Sequence, residues 1–129
     1  MAAILDASAV LALINREPGQ DVVAATLVSG ATICSVNLAE VSTIMLRDGV
    51  PENSIQLIID RLPMVVVDFD RDLALAAGLM SNLTRPLGLS LGDRACLALA
   101  HRRNASALTA DRAWIQAGPL VGVTVTLIR

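Results

Sequence analysis

Asp6, Glu40, Asp93 and Asp111 are carboxylates set at breaks in an otherwise very apolar chain of 129 residues. They stand in Ile4-Leu5-Asp6-Ala7-Ser8, Asn37-Leu38-Ala39-Glu40-Val41, Ser90-Leu91-Gly92-Asp93-Arg94 and Leu108-Thr109-Ala110-Asp111-Arg112. Asp6 and Asp111 follow short apolar runs with the character of buried strands, and Glu40 and Asp93 lie near expected helix starts. Carboxylates brought to one sheet edge repel one another and do not all stay ionised unless a cation joins them. A hard divalent ion suits an all-oxygen donor set. The chemistry that such an ion and such a site would serve is metal-dependent hydrolysis of a phosphodiester.

The elements that must position these acids alternate between strand and helix. A first strand is expected over Ala2 to Leu5, followed by an apolar helix from Ala7 to Asn15 that ends near Pro18-Gly19. Asp21 to Val28 has helical character, and Ser29-Gly30 turns into a strand over Ala31 to Ser35. A helix from about Asn37 stops at Asp48-Gly49, where glycine is the expected terminator. Pro51 opens another, with Ile55, Ile58, Ile59 and Leu62 spaced for one buried face. Met64 to Val67 is a β-branched strand, and an alanine-rich helix runs from Arg71 to about Met80. Thr84 to Gly88 is the most loop-like stretch; Ser90 begins a helix to about Arg103; Ala105 to Thr109 and Gly122 to Ile128 are strands. This alternation predicts a three-layer α/β/α sandwich around a mostly parallel sheet of about five strands, in one domain spanning residues 1–129. Ligands in such sheets bind beyond the carboxyl ends of the strands, where Asp6 and Asp111 fall.

Composition narrows the class. Apolar residues make up 54% of the chain, and surplus apolar surface of that kind goes into partner interfaces. The longest uncharged run, Val22 to Ala39, carries the Ser29-Gly30 turn and Thr32, Ser35 and Asn37, so it does not read as a membrane span. With no basic leader ahead of Asp6, a cytoplasmic protein is expected. Cys34 and Cys96 have no metal-ligand spacing and read as buried, reduced thiols. The single histidine, His101, sits at a helix end and reads as solvated, which leaves little support for Ser-His-Asp or Cys-His hydrolysis. All ten basic residues are arginine, whose planar fork matches phosphate.

Each carboxylate also has an ordinary explanation. Asp6 and Asp111 are competent helix N-caps, and Asn37 with Glu40 and Ser90 with Asp93 have capping-box spacing. The distribution argues for more than capping. Only three glutamates occur; Glu17 and Glu52 flank prolines, whereas Glu40 lies between Ala39 and Val41.

Together, Ile4-Leu5-Asp6-Ala7-Ser8, Asn37-Leu38-Ala39-Glu40-Val41, Gly88-Leu89-Ser90-Leu91-Gly92-Asp93 and Leu108-Thr109-Ala110-Asp111-Arg112-Ala113-Trp114 resemble a PIN domain. More narrowly, the chain is similar to the VapC-type toxin nucleases of prokaryotic toxin–antitoxin modules, over its whole length and including the closing run Thr124 to Ile128. The resemblance implies a Mg²⁺- or Mn²⁺-dependent endoribonuclease in which Asp6, Glu40, Asp93 and Asp111 hold metal directly or through water. It implies that Thr109, and in the same way Ser8, offers a hydroxyl to the cluster. It also implies a homodimer and a cognate antitoxin whose peptide covers the active-site groove. Arg94 and Arg112 each follow a cluster aspartate and turn about 100° away from it on a helix start, which makes them candidates for a flanking RNA phosphate. Their alternatives are an ion pair to Asp70 or Asp72, or solvation. With one Phe and no Tyr, RNA would be gripped by arginine and backbone, with Trp114 in the core.

Rival folds with acids at strand ends fit less well. A receiver domain needs a lysine, and a haloacid-dehalogenase-like phosphatase needs an aspartate where Ser8 stands. The remaining alternative is a catalytically inactive RNA-binding or protein-interaction module on the same fold.

Overall fold

The computed structural model describes residues 3–129. Strand β1 covers Ala3–Leu5, followed by helices α1 (Ala7–Ile14) and α2 (Gln20–Ser29); β2 (Ala31–Cys34) leads into α3 (Ser35–Arg47) and α4 (Glu52–Asp60). Strand β3 (Met64–Val67), helices α5 (Arg71–Leu79) and α6 (Ser81–Thr84) and a 3-10 turn over Arg85–Leu87 come next. Helix α7 (Leu91–Arg103), β4 (Ala107–Thr109), α8 (Trp114–Val121) and β5 (Val125–Leu127) complete the chain.

The five strands form one sheet in the order β3-β2-β1-β4-β5, and every pairing is parallel. Parallel strands need crossover helices, and those helices cover both faces, as expected for a three-layer α/β/α sandwich. Side-chain alternation divides the interior accordingly. Ala3 and Leu5 of β1 and Ile33 of β2 pack with Val10 of α1, Val23 of α2 and Met45 of α3. Ile4 and Cys34 point the other way, against Leu73 and Ala77 of α5, the buried run Ala95–Ala100 of α7, and Trp114. Cys34 and Cys96 are free and buried, and Trp114 is core, in line with the sequence reading.

Several boundaries differ from those expected. Position 2, the expected start of the first strand, lies outside the described residues. Ser35 opens α3 instead of closing β2, so Asn37 sits inside the first turn of α3 and is not its cap. The stretch from Thr84 to Gly88 is helical turn up to Leu87, and only Gly88 adopts the left-handed conformation, at φ 73°. Strands β4 and β5 are shorter than expected. Helix α8 is absent from the sequence expectation because Gly118-Pro119 reads as a break. The helix survives because it is short and closes with Gly122 at φ 73° and a Val123 N–H···O=C Gly118 bond of 2.9 Å. A Cβ on Gly118 would stand 2.7 Å from the Val123 carbonyl oxygen, so glycine lets α8 lie against the entry to β5.

Candidate active site

The strand order reverses direction between β1 and β4: β2 and β3 extend the sheet on one side of β1, and β4 and β5 on the other. In parallel sheets the carboxyl-end crevice at such a reversal is where ligands bind. Asp6 is the first residue after β1, and its backbone N–H still bonds to the Leu108 carbonyl of β4 at 3.1 Å, which places it at this crevice.

Asp6 is only 5% exposed. Its Oδ1 accepts from the Ala9 backbone N–H at 2.9 Å, which makes it the N-cap of α1. The Ser8 hydroxyl donates to the carboxylate at 2.7 Å, and the Thr109 hydroxyl donates to Oδ2 at 2.6 Å. Both hydroxyls also accept: Ser8 from the Ala110 N–H at 2.9 Å and Thr109 from the Asp111 N–H at 3.0 Å. The loop after β4 is thereby tied to Asp6 through two side-chain oxygens. Capping and clustering are compatible roles for Asp6, and the same carboxylate fills both. Burial, only partly offset by these hydrogen bonds, pushes its pKa up to about 6.

Asp93 lies in the first turn of α7. Its Oδ2 accepts the Ser90 N–H at 2.9 Å while its own N–H reaches the Ser90 hydroxyl at 3.2 Å, a complete capping box. That leaves its other oxygen free. Burial raises the Asp93 carboxyl above its ordinary value, and the neighbouring charge of Asp111 adds to the effect. Glu40, in α3, is raised chiefly by burial, with a further contribution from Asp93, against a hydrogen bond from the Asn37 amide. Asp111 is exposed, and its Oδ1 accepts the Ala113 N–H at 3.0 Å across a turn. It does not cap a helix, since α8 begins at Trp114 with Ala113 in the cap position.

All four carboxylates, together with Ser8, line one cavity of about 220 Å³ whose apolar wall includes Leu11 and Ile44. Glu40, Asp93 and Asp111 have no salt bridge to a basic side chain among the described residues, and neither has Asp6. Every side-chain donor is oxygen, as a hard cation requires. Among the described residues no three acidic, histidine or cysteine side chains are disposed to ligate one ion directly. An ion held here would take at most one or two carboxylate oxygens directly and the rest of its ligands through water, as Mg²⁺ commonly does.

The arginines divide. Arg94 does not reach along the crevice: its Nη1 donates to the Ala77 carbonyl of α5 at 2.9 Å. This differs from all the sequence expectations for Arg94, whether phosphate, ion pair or solvent. Asp70 pairs with Arg102 at 3.0 Å, and Asp72 faces Arg71 at 3.7 Å. Arg112 is exposed, and its side chain makes no hydrogen bond or ion pair among the described residues.

Two residues at the site escape sequence reasoning. Asn37 is buried, and its amide donates to Glu40 Oε1 and to the Gly92 carbonyl, each at 2.9 Å. Gly92 faces the Glu40 carboxylate directly. The available signals were an amide between the apolar Val36 and Leu38, and a glycine inside a helix whose backbone has no need of one.

The model of the PIN domain family matches residues 3–118. No curated protein matches the chain. Among solved structures, a chain of the DNA-bound VapBC complex from Salmonella typhimurium superposes with a TM-score of 0.77 at 16% identity, covering 100% of this chain and 99% of the other. A chain of VapBC2 from Rickettsia felis, bound to a promoter DNA fragment, gives 0.73 at 17% identity with 98% of each chain covered. A chain of a toxin–antitoxin complex from Klebsiella pneumoniae gives 0.71 at 15%, again covering 98% of each. At these identities the likeness is one of fold.

Proposed function

Since this chain belongs to the PIN domain family, we propose that it is a Mg²⁺- or Mn²⁺-dependent endoribonuclease and the toxin of a toxin–antitoxin pair. The observation that carries this reading is the cavity shared by Asp6, Glu40, Asp93 and Asp111 at the β1–β4 reversal. The similar solved structures, VapBC complexes and a toxin–antitoxin complex among them, support the biological role.

In this reading Asp6 and Asp93 are the principal metal-holding carboxylates, with Glu40 and Asp111 acting directly or through water. Ser8 and Thr109 orient Asp6 by donating to it. A bound divalent ion would neutralise charge on the scissile phosphodiester and lower the pKa of the attacking water. The chain itself supplies no histidine or lysine to the cavity, so proton handling falls to its carboxylates, three of which burial brings closer to neutral pH. Arg112, free at the rim of the Asp111 turn, is the candidate for an RNA phosphate. The chain acts as one nuclease domain and works in the cytoplasm as a homodimer, with a cognate antitoxin peptide across the groove. No helix among the described residues is long and apolar enough to cross a membrane.

The test is cleavage of a mixed RNA pool with Mg²⁺ or Mn²⁺, with chelator, and with Asp93→Asn. We expect cleavage that requires metal and vanishes in the variant, alongside a metal-dependent rise in melting temperature of the wild type. Absence of both responses would instead establish an inactive binding module.

A further inference from the structure

We propose that Asn37 and Gly92 together form a seat that fixes the Glu40 carboxylate over the first turn of α7, which makes both of them positioning residues for the acidic cavity. The inference rests on the metal-dependent reading of that cavity. Glu40 reaches the site from α3, a different element from those carrying Asp6, Asp93 and Asp111, so its side chain needs an anchor of its own. It has no cationic partner among the described residues, and its one side-chain hydrogen bond is with Asn37.

The Asn37 side chain, 1% exposed, directs both amide hydrogens to acceptors: Glu40 Oε1 and the Gly92 carbonyl, each at 2.9 Å. A carboxylate and a carbonyl on that side fix which way the amide faces, because reversing it would set oxygen against oxygen. The consequence is that Asn37 Oδ1 is buried with no partner. A buried, unpaired acceptor is destabilising. Its persistence here is explained if the two donated bonds are what the position provides: one holds Glu40 on the same helix, and the other joins α3 to the Gly92 carbonyl of α7 at the cavity. One Glu40 oxygen is thereby occupied, and Oε2 is left for an ion or its water.

Gly92 supports the same conclusion independently. It is not among the glycines with positive φ, so its backbone conformation would admit any residue. Alanine would also favour the helix more than glycine does. What a side chain would change is the space Glu40 occupies: a Cβ at this position would lie 2.6 Å from Glu40 Cδ, and the three atoms nearest to it all belong to that carboxylate, so any side chain here would displace it. Glycine at position 92 is therefore the room that Glu40 occupies.

A cycle of Gly92→Ala, Glu40→Ala and their double variant separates a seat from a merely structural glycine, with Asn37→Ala made in both the wild-type and Glu40→Ala backgrounds. Mn²⁺ affinity is read by calorimetry and melting temperature without metal by circular dichroism. In the presence of Glu40, both Gly92→Ala and Asn37→Ala should weaken Mn²⁺ binding by about tenfold, the usual effect of losing a group that orients a metal ligand. In the Glu40→Ala background neither should weaken it further. Gly92→Ala should change the melting temperature less favourably when Glu40 is present than when it is absent, where alanine's helix preference acts alone. Equal losses of Mn²⁺ affinity with and without Glu40, or a Gly92→Ala effect on melting temperature that is the same in both backgrounds, would overturn the proposal. If wild type binds neither Mn²⁺ nor Mg²⁺, the nuclease reading fails, while the melting cycle still decides whether Gly92 seats Glu40.

Discussion

Asp6 shows how one residue couples stability to function. Its carboxyl is neutral in both folded and unfolded chains below its ordinary value of 3.8, and ionised in both above about 6. Between those limits the folded protein holds the extra proton, so stability without metal falls as pH rises through this window. The full displacement corresponds to about 3 kcal/mol above pH 6. Glu40 and Asp93 are shifted in the same direction and add to the effect. Asp6→Asn should abolish RNA cleavage yet raise the metal-free melting temperature at pH 7.5 by roughly 5 °C, with little change at pH 4. Asparagine is as good an N-cap as aspartate, so α1 should persist. Parallel melts at the two pH values check this, and a variant that melts lower at pH 7.5 would contradict it. Metal binding at pH 6 should also release protons, visible as a dependence of the calorimetric heat on the buffer's ionisation enthalpy. The four carboxylates are legible in the sequence because each interrupts an apolar run. Asn37 is not, because its spacing to Glu40 imitates a capping pair, and only the start of α3 at Ser35 shows that it faces inward.

At the scale of elements, the helices are set by a few contacts that make opposite demands on similar residues. Gly118 and Gly78 are both helical glycines. A Cβ at 118 would meet the Val123 carbonyl oxygen at 2.7 Å, whereas one at 78, on α5, would meet nothing within 4 Å. Gly118→Ala should therefore destabilise by about 1–3 kcal/mol, and Gly78→Ala should stabilise by up to about 1 kcal/mol. Urea denaturation of the two variants decides the signs. Arg94 and Arg112 make a second such pair. The Arg94 bond to the Ala77 carbonyl joins α7 to α5. Arg94→Ala should lower stability by about 1 kcal/mol and leave the salt dependence of RNA binding unchanged. Arg112→Ala should weaken RNA binding and reduce the magnitude of the salt slope by about 1. Binding isotherms at several salt concentrations test both arginines. The β-branched and apolar runs make the strands legible, and the Ser90 signal makes the start of α7 legible. Helix α8 is hidden because Gly118-Pro119 has the local signature of a break, and its tolerance depends on how closely α8 approaches β5, a tertiary fact.

At the scale of the whole molecule, the apolar excess remains partly on the outside. Leu79 is 83% exposed, and Leu75 on the same helix is 52% exposed. In solution we expect a dimer burying roughly 1,200–2,000 Å². Light scattering at tens of micromolar should report twice the chain mass, and a clean monomer would refute it. The sandwich and its parallel sheet follow from the alternation of elements, but the strand order is not legible, because apolar strands of three or four residues carry too little pattern to specify neighbours. That order has a consequence in time. Strand β1 lies between β2 and β4, and the cavity draws Asp6 and Glu40 from the first half of the chain, Asp93 and Asp111 from the second. At synthesis rates of about 5–20 residues per second, roughly 5–20 s separate the appearance of Asp6 from that of Asp111. A half-made chain thus carries two of the four acids and no β4 to complete the crevice. A ribosome making this protein therefore carries an incomplete crevice until the residues around Asp111 have been made, so the acidic cavity closes late in the chain's own synthesis.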